Sequence, residues 1–196
     1  MVDVSSIVTS CQAAEAGGVT AIQLRLKEAS PLEFLRMTER LLRVLQVPLY
    51  INDRADIALA AGAHGVHLGS DDIAPDSVRR FVPPSFRIGI SVGSTEEATA
   101  SHRADVDYWS IGPVFPTSTK QDAGSPLGPH GFKALAARSP KRMPVIAIGG
   151  ISVANAMEVL EVGAQGLAVS NGIFGDPAIE AAARQLRARV DASVGT

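Results

Sequence analysis

One pattern constrains this chain more than any other: short apolar runs alternate with helical patterns from end to end. The runs cover residues 19–24, 47–51, 66–68, 88–90, 108–111, 145–148 and 167–169. Between and after them, apolar residues recur at helical spacing over 31–45, 53–61, 75–81, 95–102, 132–137, 153–162 and 177–190. Runs that are fully apolar or nearly so, instead of apolar on every second residue, suit strands of a parallel sheet covered on both faces. Strand and helix in alternation call for an all-parallel sheet with right-handed crossovers. The expected fold is α/β, a (β/α)8 TIM barrel, formed by one domain spanning residues 1–196. The strand count falls one short. Ahead of the first run lies only a helical pattern over 4–15, so the first β-strand is expected to be missing or truncated at the N-terminus. A shortened start, a poor substitute from residues 1–5 and a barrel open at this seam are the three ways to account for it. An unpaired seam would be a liability for stability and an invitation to oligomerise.

Composition excludes several classes of function. A formal net charge of −2 gives no electrostatic footing for nucleic acid or an anionic membrane surface. No apolar run reaches the ~18 residues of a membrane span, and no secretory signal pattern precedes the first element. A cytoplasmic enzyme is the expectation. The single cysteine, Cys11, leaves no intrachain disulfide and no cysteine-built zinc site. It lies in a helical pattern and is expected to be a buried or half-buried structural thiol. His64, His67, His102 and His130 have no ligand spacing. His67 sits in mid-strand and reads as a satisfied core histidine, with Tyr108 and Trp109 as core aromatics.

A weak repeat marks the helix ends. An alanine-rich turn, a glycine and a short apolar run recur at Ala16-Gly17-Gly18-Val19, Ala61-Gly62-Ala63-His64-Gly65-Val66 and Val162-Gly163-Ala164-Gln165-Gly166-Leu167. Glycine just past a helix accepts the left-handed conformation that closes it.

The residues that end the apolar runs carry the chemistry. In a parallel barrel all strands finish at one rim, where catalysis takes place. Gln23, Arg25 and Lys27 lie two apart, so on an extended strand they face one side. Two cations held together there suit an anion; a salt bridge to a helix carboxylate is the plainer alternative. Asn52-Asp53-Arg54 could cap the next helix. Beside Asp71-Asp72 on the neighbouring loop, it could instead share Mg²⁺, which takes one or two protein carboxylates and fills its other positions with water and phosphate oxygens. Asp71 could simply cap a helical turn. Thr117, Ser118 and Thr119 with Lys120 lie in a Gly-, Pro- and hydroxyl-rich stretch over 113–131, too long for a plain turn. Such stretches are functional lids or solvated loops. Gly149-Gly150 and Ser170-Asn171-Gly172 end the last two runs, the usual place for a barrel's phosphate site.

These segments resemble the thiamine phosphate synthase family. The matching segments are Ile22-Gln23-Leu24-Arg25-Leu26-Lys27, Ile51-Asn52-Asp53-Arg54, Gly65-Val66-His67-Leu68-Gly69-Ser70-Asp71-Asp72, Gly89-Ile90-Ser91-Val92, Ile111-Gly112-Pro113-Val114-Phe115-Pro116-Thr117-Ser118-Thr119-Lys120, Ala147-Ile148-Gly149-Gly150-Ile151 and Gly166-Leu167-Ala168-Val169. The likeness covers nearly the whole chain, and Pro-Thr-x-Thr-Lys is its most specific element. It implies a barrel that joins an aminopyrimidine methyl diphosphate to a thiazole phosphate, releasing pyrophosphate. It further implies that Gln23, Arg25, Lys27, Asn52, Ser91 and Lys120 hold the pyrimidine diphosphate. Asp53 and Asp72 would hold Mg²⁺, and Thr117, Thr119, Gly150, Ser170 and Asn171 the thiazole phosphate. The partners implied are these small molecules, with no nucleic acid or membrane; a homo-oligomer stays open. Leu26 stands where the family usually has an acidic residue, Ser70 where it has Gln, Gly93 where it has His, and Asn171 where it has Ser. A thiazole tautomerase-like isomerase would keep the thiazole-phosphate loops without needing Asp53, Asp72 and Lys120 together. A non-catalytic phosphate-binding barrel is the other alternative.

Overall fold

The computed structural model describes residues 4–117, 119, 124–141 and 143–194. Their strands are β1 (Ile22–Leu24), β2 (Leu49–Asn52), β3 (Gly65–Leu68), β4 (Arg87–Val92), β5 (Tyr108–Ile111), β6 (Val145–Ile148) and β7 (Gly166–Ala168). They form one seven-stranded sheet in sequential order, every neighbouring pair parallel. The helices are α1 (Val4–Ala16), α2 (Pro31–Val44), α3 (Ala55–Ala61), α4 (Pro75–Arg79), α5 (Thr95–Ser101), α6 (Gly128–Ala136), α7 (Ala156–Leu160), α8 (Asn171–Phe174) and α9 (Ile179–Val194).

Local signals explain the elements. Ser30 caps α2 reciprocally: its hydroxyl accepts from the Glu33 N–H at 3.3 Å, and Glu33 Oε2 accepts from the Ser30 N–H at 2.9 Å. Pro31 opens that helix, and Phe34, Met37, Thr38 and Leu41 form its buried stripe. The repeated glycines share one geometry. Gly18, Gly62 and Gly163 have φ of 96°, 74° and 109°. The next residue's N–H then reaches back to Ala14, Ala58 and Val159 at 3.3, 2.8 and 3.0 Å, the closing bond of a Schellman turn.

Leu49 and Ile51, Val66 and Leu68, Ile88 and Ile90, Trp109 and Ile111 are buried where the sheet meets its helices. The alternate positions turn to the concave side: Gln23, Tyr50, Asn52, His67, Ser91, Tyr108, Ile146 and Ile148. Cys11 is buried, as expected, and burial pushes its thiol up to about 11.

Several boundaries differ from the sequence expectation. The segment expected as a helix over 53–61 starts at Ala55, because Asp53 takes φ 63°. The helix expected over 132–137 starts at Gly128, where Pro129 occupies the first turn. The stretch expected as one helix over 177–190 is preceded by the single turn α8. The eight-stranded barrel is reached only in part. Among the described residues β1 and β7 are edges that no strand joins; of residues 1–5, one expected source of a substitute strand, Val4 and Ser5 begin α1 and residues 1–3 lie outside the description.

Candidate active site

The sequential strand order divides the rim in two. The ends of β1 to β4 carry Arg25 and Lys27, the carboxylates and Ser91. The ends of β5 to β7 carry hydroxyls and exposed backbone.

On the first half, Gln23, Arg25 and Lys27 are exposed while Ile22 and Leu24 are buried; Lys27 already lies in the turn that follows β1, and both cations act on the Asp53 carboxyl. Arg25 and Lys27 make no ion pair among the described residues, against the plainer expectation of a salt bridge to a helix carboxylate. Asn52 ends β2 in register with His67. Asp53 donates its N–H to the His67 carbonyl at 2.8 Å and caps nothing; Arg54 holds the cap position of α3. Asp72 Oδ2 accepts from the Gly69 N–H at 2.7 Å. Asp71 is exposed, and Ala74 precedes α4 in the cap position, so the expected capping by Asp71 is not found. Burial raises the Asp53 carboxyl above its ordinary range, and the hydrogen bond and charge of Asp72 raise it further, against the pull of Arg25 and Lys27. Two carboxylates and two cations thus share one space.

Ser91 lies one residue from the end of β4. Its Oγ is 3.0 Å from His67 Nε2, and His67 Nδ1 is 3.0 Å from the Tyr108 hydroxyl. The imidazole and the Tyr108 ring stack with centroids 5.6 Å apart, and Tyr50 meets Tyr108 edge-on at 5.9 Å.

On the second half, the chain leaving β5 runs along the end of β6. Val114 and Phe115 donate to the carbonyls of Ile148 and Gly149 at 2.9 and 3.0 Å. A Cβ on Gly150 would sit 2.4 Å from the Pro116 carbonyl oxygen, so this loop crosses directly over the Gly149-Gly150 turn. That brings Thr117 to Gly150. The Thr117 hydroxyl accepts from the Thr119 N–H at 3.2 Å and keeps its own proton to donate. Ser118 and Lys120 lie outside the described residues. Gly172 packs against the Ile151 carbonyl, 2.6 Å from where its Cβ would stand, which sets the exposed Ser170 and Asn171 beside the segment that follows the Gly149-Gly150 turn. Asn155 was not anticipated. Its Nδ2 donates to the Gly150 carbonyl at 3.0 Å and its Oδ1 accepts from Ser152 N–H at 2.8 Å, fixing the turn.

The sequence profile of the thiamine monophosphate synthase family matches residues 2–173. The chain belongs to that family. It is 43% identical over 190 residues to the thiamine-phosphate synthase of Azorhizobium caulinodans, covering 95% of this chain and 89% of that one. It is also 43% identical over 178 residues to the thiamine-phosphate synthase of Methanoregula boonei, covering 89% and 82%. The structure of the thiamine phosphate pyrophosphorylase from Pyrococcus furiosus superposes with a TM-score of 0.86 at 36% identity, over 96% of this chain and 91% of that one. A 3-hexulose-6-phosphate synthase superposes with a TM-score of 0.71 at 20% identity over 95% and 94%, a likeness of TIM-barrel-like fold alone. In this member of the thiamine monophosphate synthase family, no helix among the described residues is long and apolar enough to cross a membrane.

Proposed function

We propose that this chain is a thiamine phosphate synthase that joins 4-amino-2-methyl-5-(diphosphooxymethyl)pyrimidine to a thiazole phosphate. The observation that carries the reading is the carboxylate pair Asp53 and Asp72 beside Arg25 and Lys27, in a chain 43% identical over 95% of its length to a protein of that name. The thiazole nitrogen attacks the methylene carbon, a C–N bond forms, and the C–O bond to the diphosphate breaks with its electron pair on the departing oxygen. The nitrogen is already a nucleophile, so no general base is required, in keeping with a site that presents cations and hydroxyls.

The residues fit a divalent metal. Two neighbouring carboxylates, of which Asp53 is raised by burial and by Asp72, with no third His, Cys, Asp or Glu grouped with them among the described residues, suit Mg²⁺ that fills its other positions with water and phosphate oxygens. When bound, Mg²⁺ supplies positive charge to the leaving group. Arg25, Lys27 and Lys120 add fixed positive charge, while Gln23, Asn52 and Ser91 orient the diphosphate. Thr117, Thr119, the Gly150 backbone, Ser170 and Asn171 hold the thiazole phosphate at the opposite half of the rim. Alignment of two phosphorylated partners then provides most of the acceleration.

Formation of thiamine phosphate from both substrates with Mg²⁺ tests the reading directly; absence of product would remove it. The division of the rim is tested by two variants. Arg25→Ala should lower kcat about 10²-fold or more, because charge on the leaving oxygen grows in the transition state. Thr117→Ala should chiefly raise KM for the thiazole phosphate. The reverse assignment of effects would overturn the two-half description.

A further inference from the structure

Between β3 and β5 a row of polar side chains runs from the interior of the sheet up to Ser91, and it rests on a missing side chain. His67, Gly89 and Tyr108 are register partners across β3, β4 and β5. A Cβ on Gly89 would fall 1.9 Å from Tyr108 Cζ. The glycine therefore lets the tyrosine lie across β4 and reach the histidine on β3. Gly65 does the same for Tyr50, whose Cε1 would be 2.8 Å from a Cβ there. The imidazole thus has Tyr108, which lies over Gly89, on one ring nitrogen and Ser91, two residues nearer the rim, on the other.

Proton placement follows from Tyr108. Burial raises its phenol, so the hydroxyl keeps its proton at neutral pH. Among the described residues its hydrogen-bond partner is His67 Nδ1. A buried O–H left without an acceptor is costly, so Tyr108 donates and Nδ1 accepts. A neutral imidazole then carries its proton on Nε2, which donates to Ser91 Oγ. With that oxygen already accepting, the Ser91 proton is free to point out of the row toward the rim.

We infer that His67 and Tyr108 are positioning residues that aim the Ser91 hydroxyl proton at an anionic oxygen of the diphosphate. The inference rests on the proposed contact of Ser91 with the diphosphate. In the opposite tautomer Ser91 would donate inward to Nε2 and offer an anion only its lone pairs, which repel it.

Two experiments test this. In the protein with ¹⁵N-labelled histidine, NMR should show His67 protonated on Nε2 and not on Nδ1; the Nδ1–H tautomer overturns the inference. Titration calorimetry with inorganic pyrophosphate and Mg²⁺ provides the functional measure. Tyr108→Phe keeps the ring that fills the space over Gly89 and removes the donor. It should weaken pyrophosphate about three- to tenfold, the scale of one ordinary hydrogen bond. Ser91→Ala should weaken it at least as much, and adding Tyr108→Phe to Ser91→Ala should change nothing further. A Ser91→Ala protein that binds pyrophosphate like the parent would remove the contact that the proposed function assigns to Ser91. If Ser91→Ala weakens binding but Tyr108→Phe does not, or if the two losses add in full, the Ser91 contact stands and the positioning row falls.

Discussion

At Asp53 the backbone takes φ 63°, a conformation that non-glycine residues seldom adopt and that Asn and Asp tolerate best. It places the carboxyl beside Asp72 instead of on the helix that follows. With its pKa raised first by burial and then by Asp72, Asp53 binds its proton more tightly in the folded protein than in the unfolded chain. The linked stability is present below the ordinary carboxylate range and is lost as pH rises through the raised value. Asp53→Asn should therefore stabilise the metal-free protein at neutral pH by about 0.5 kcal/mol, the scale of a partly exposed charge pair, or roughly 1–2 °C. The same variant should lose about tenfold or more in turnover at limiting Mg²⁺. Thermal melts with chelator and assays across a Mg²⁺ series measure the two effects. A variant that melts lower and turns over normally would contradict both assignments. Trading stability for charge at a site is a common feature of functional centres.

Among the elements, β4 and β5 are tied at their starting ends by Asp107. Its carboxylate accepts from the Ile88 N–H at 2.8 Å and from Arg79 and Arg87 at 2.7 Å each. Arg79 also donates to the Phe86 carbonyl at 2.8 Å, so α4, β4 and β5 meet at one carboxylate. Burial raises the Asp107 carboxyl, but the Ile88 N–H and the two guanidiniums outweigh it and hold it below the usual range. A depressed carboxylate contributes stability above its ordinary pKa and loses it as pH falls through the depressed value. This is the opposite sign to Asp53. Asp107→Ala should cost about 2–3 kcal/mol at neutral pH, since it strands a largely buried guanidinium and a backbone donor, and the cost should shrink on acidification. Denaturant unfolding at two pH values reads this; a pH-independent loss would show packing, not charge, to be the cause. The cluster lies at the strand ends opposite the candidate site, so kcat should remain near that of the parent.

Seen whole, the molecule is continuous where its sheet is not. β1 and β7 stay unpaired among the described residues, yet α1 touches α2, α8 and α9, so helices span the outside of the gap. The contact depends on Gly17. A Cβ there would lie 2.5 Å from both Ala183 Cβ and the Glu180 carbonyl oxygen, which no rotamer change relieves. Gly17→Val should cost about 1–3 kcal/mol of stability by overpacking, lowering Tm by about 5 °C in a chain of this size. Scanning calorimetry checks the shift, and an unchanged Tm would mean that α1 and α9 do not meet this closely.

What the sequence determined by itself is what local patterns encode. Apolar runs gave β5 and β6 to the residue, because a strand covered on both faces is nearly continuous in apolar residues, Ser110 being the polar exception in β5. The glycine at each repeated helix end announced a left-handed closure that Gly18, Gly62 and Gly163 all adopt. The alternation of Ile22, Gln23 and Leu24 set Gln23 on the exposed side of β1 without reference to any other strand. The tertiary structure alone decided relations between distant residues. From the sequence, Asp53 and Asp71 could as well have been caps; only the turn at Asp53 and the bond from Gly69 to Asp72 set Asp53 and Asp72 beside each other. His67 reads from sequence as a core histidine, which its burial bears out. Its link to Ser91 and Tyr108 required the β3–β4–β5 register and an empty position at Gly89, although Gly65-x-His67 and Gly89-x-Ser91 show a matching period on one face. Asn155 carries no signal of its own, because the carbonyl it holds belongs to a turn whose shape is set by the β5 loop crossing over it. Periodicity is a property of neighbours along the chain, whereas register, close approach and shared charge arise only when strands are laid side by side.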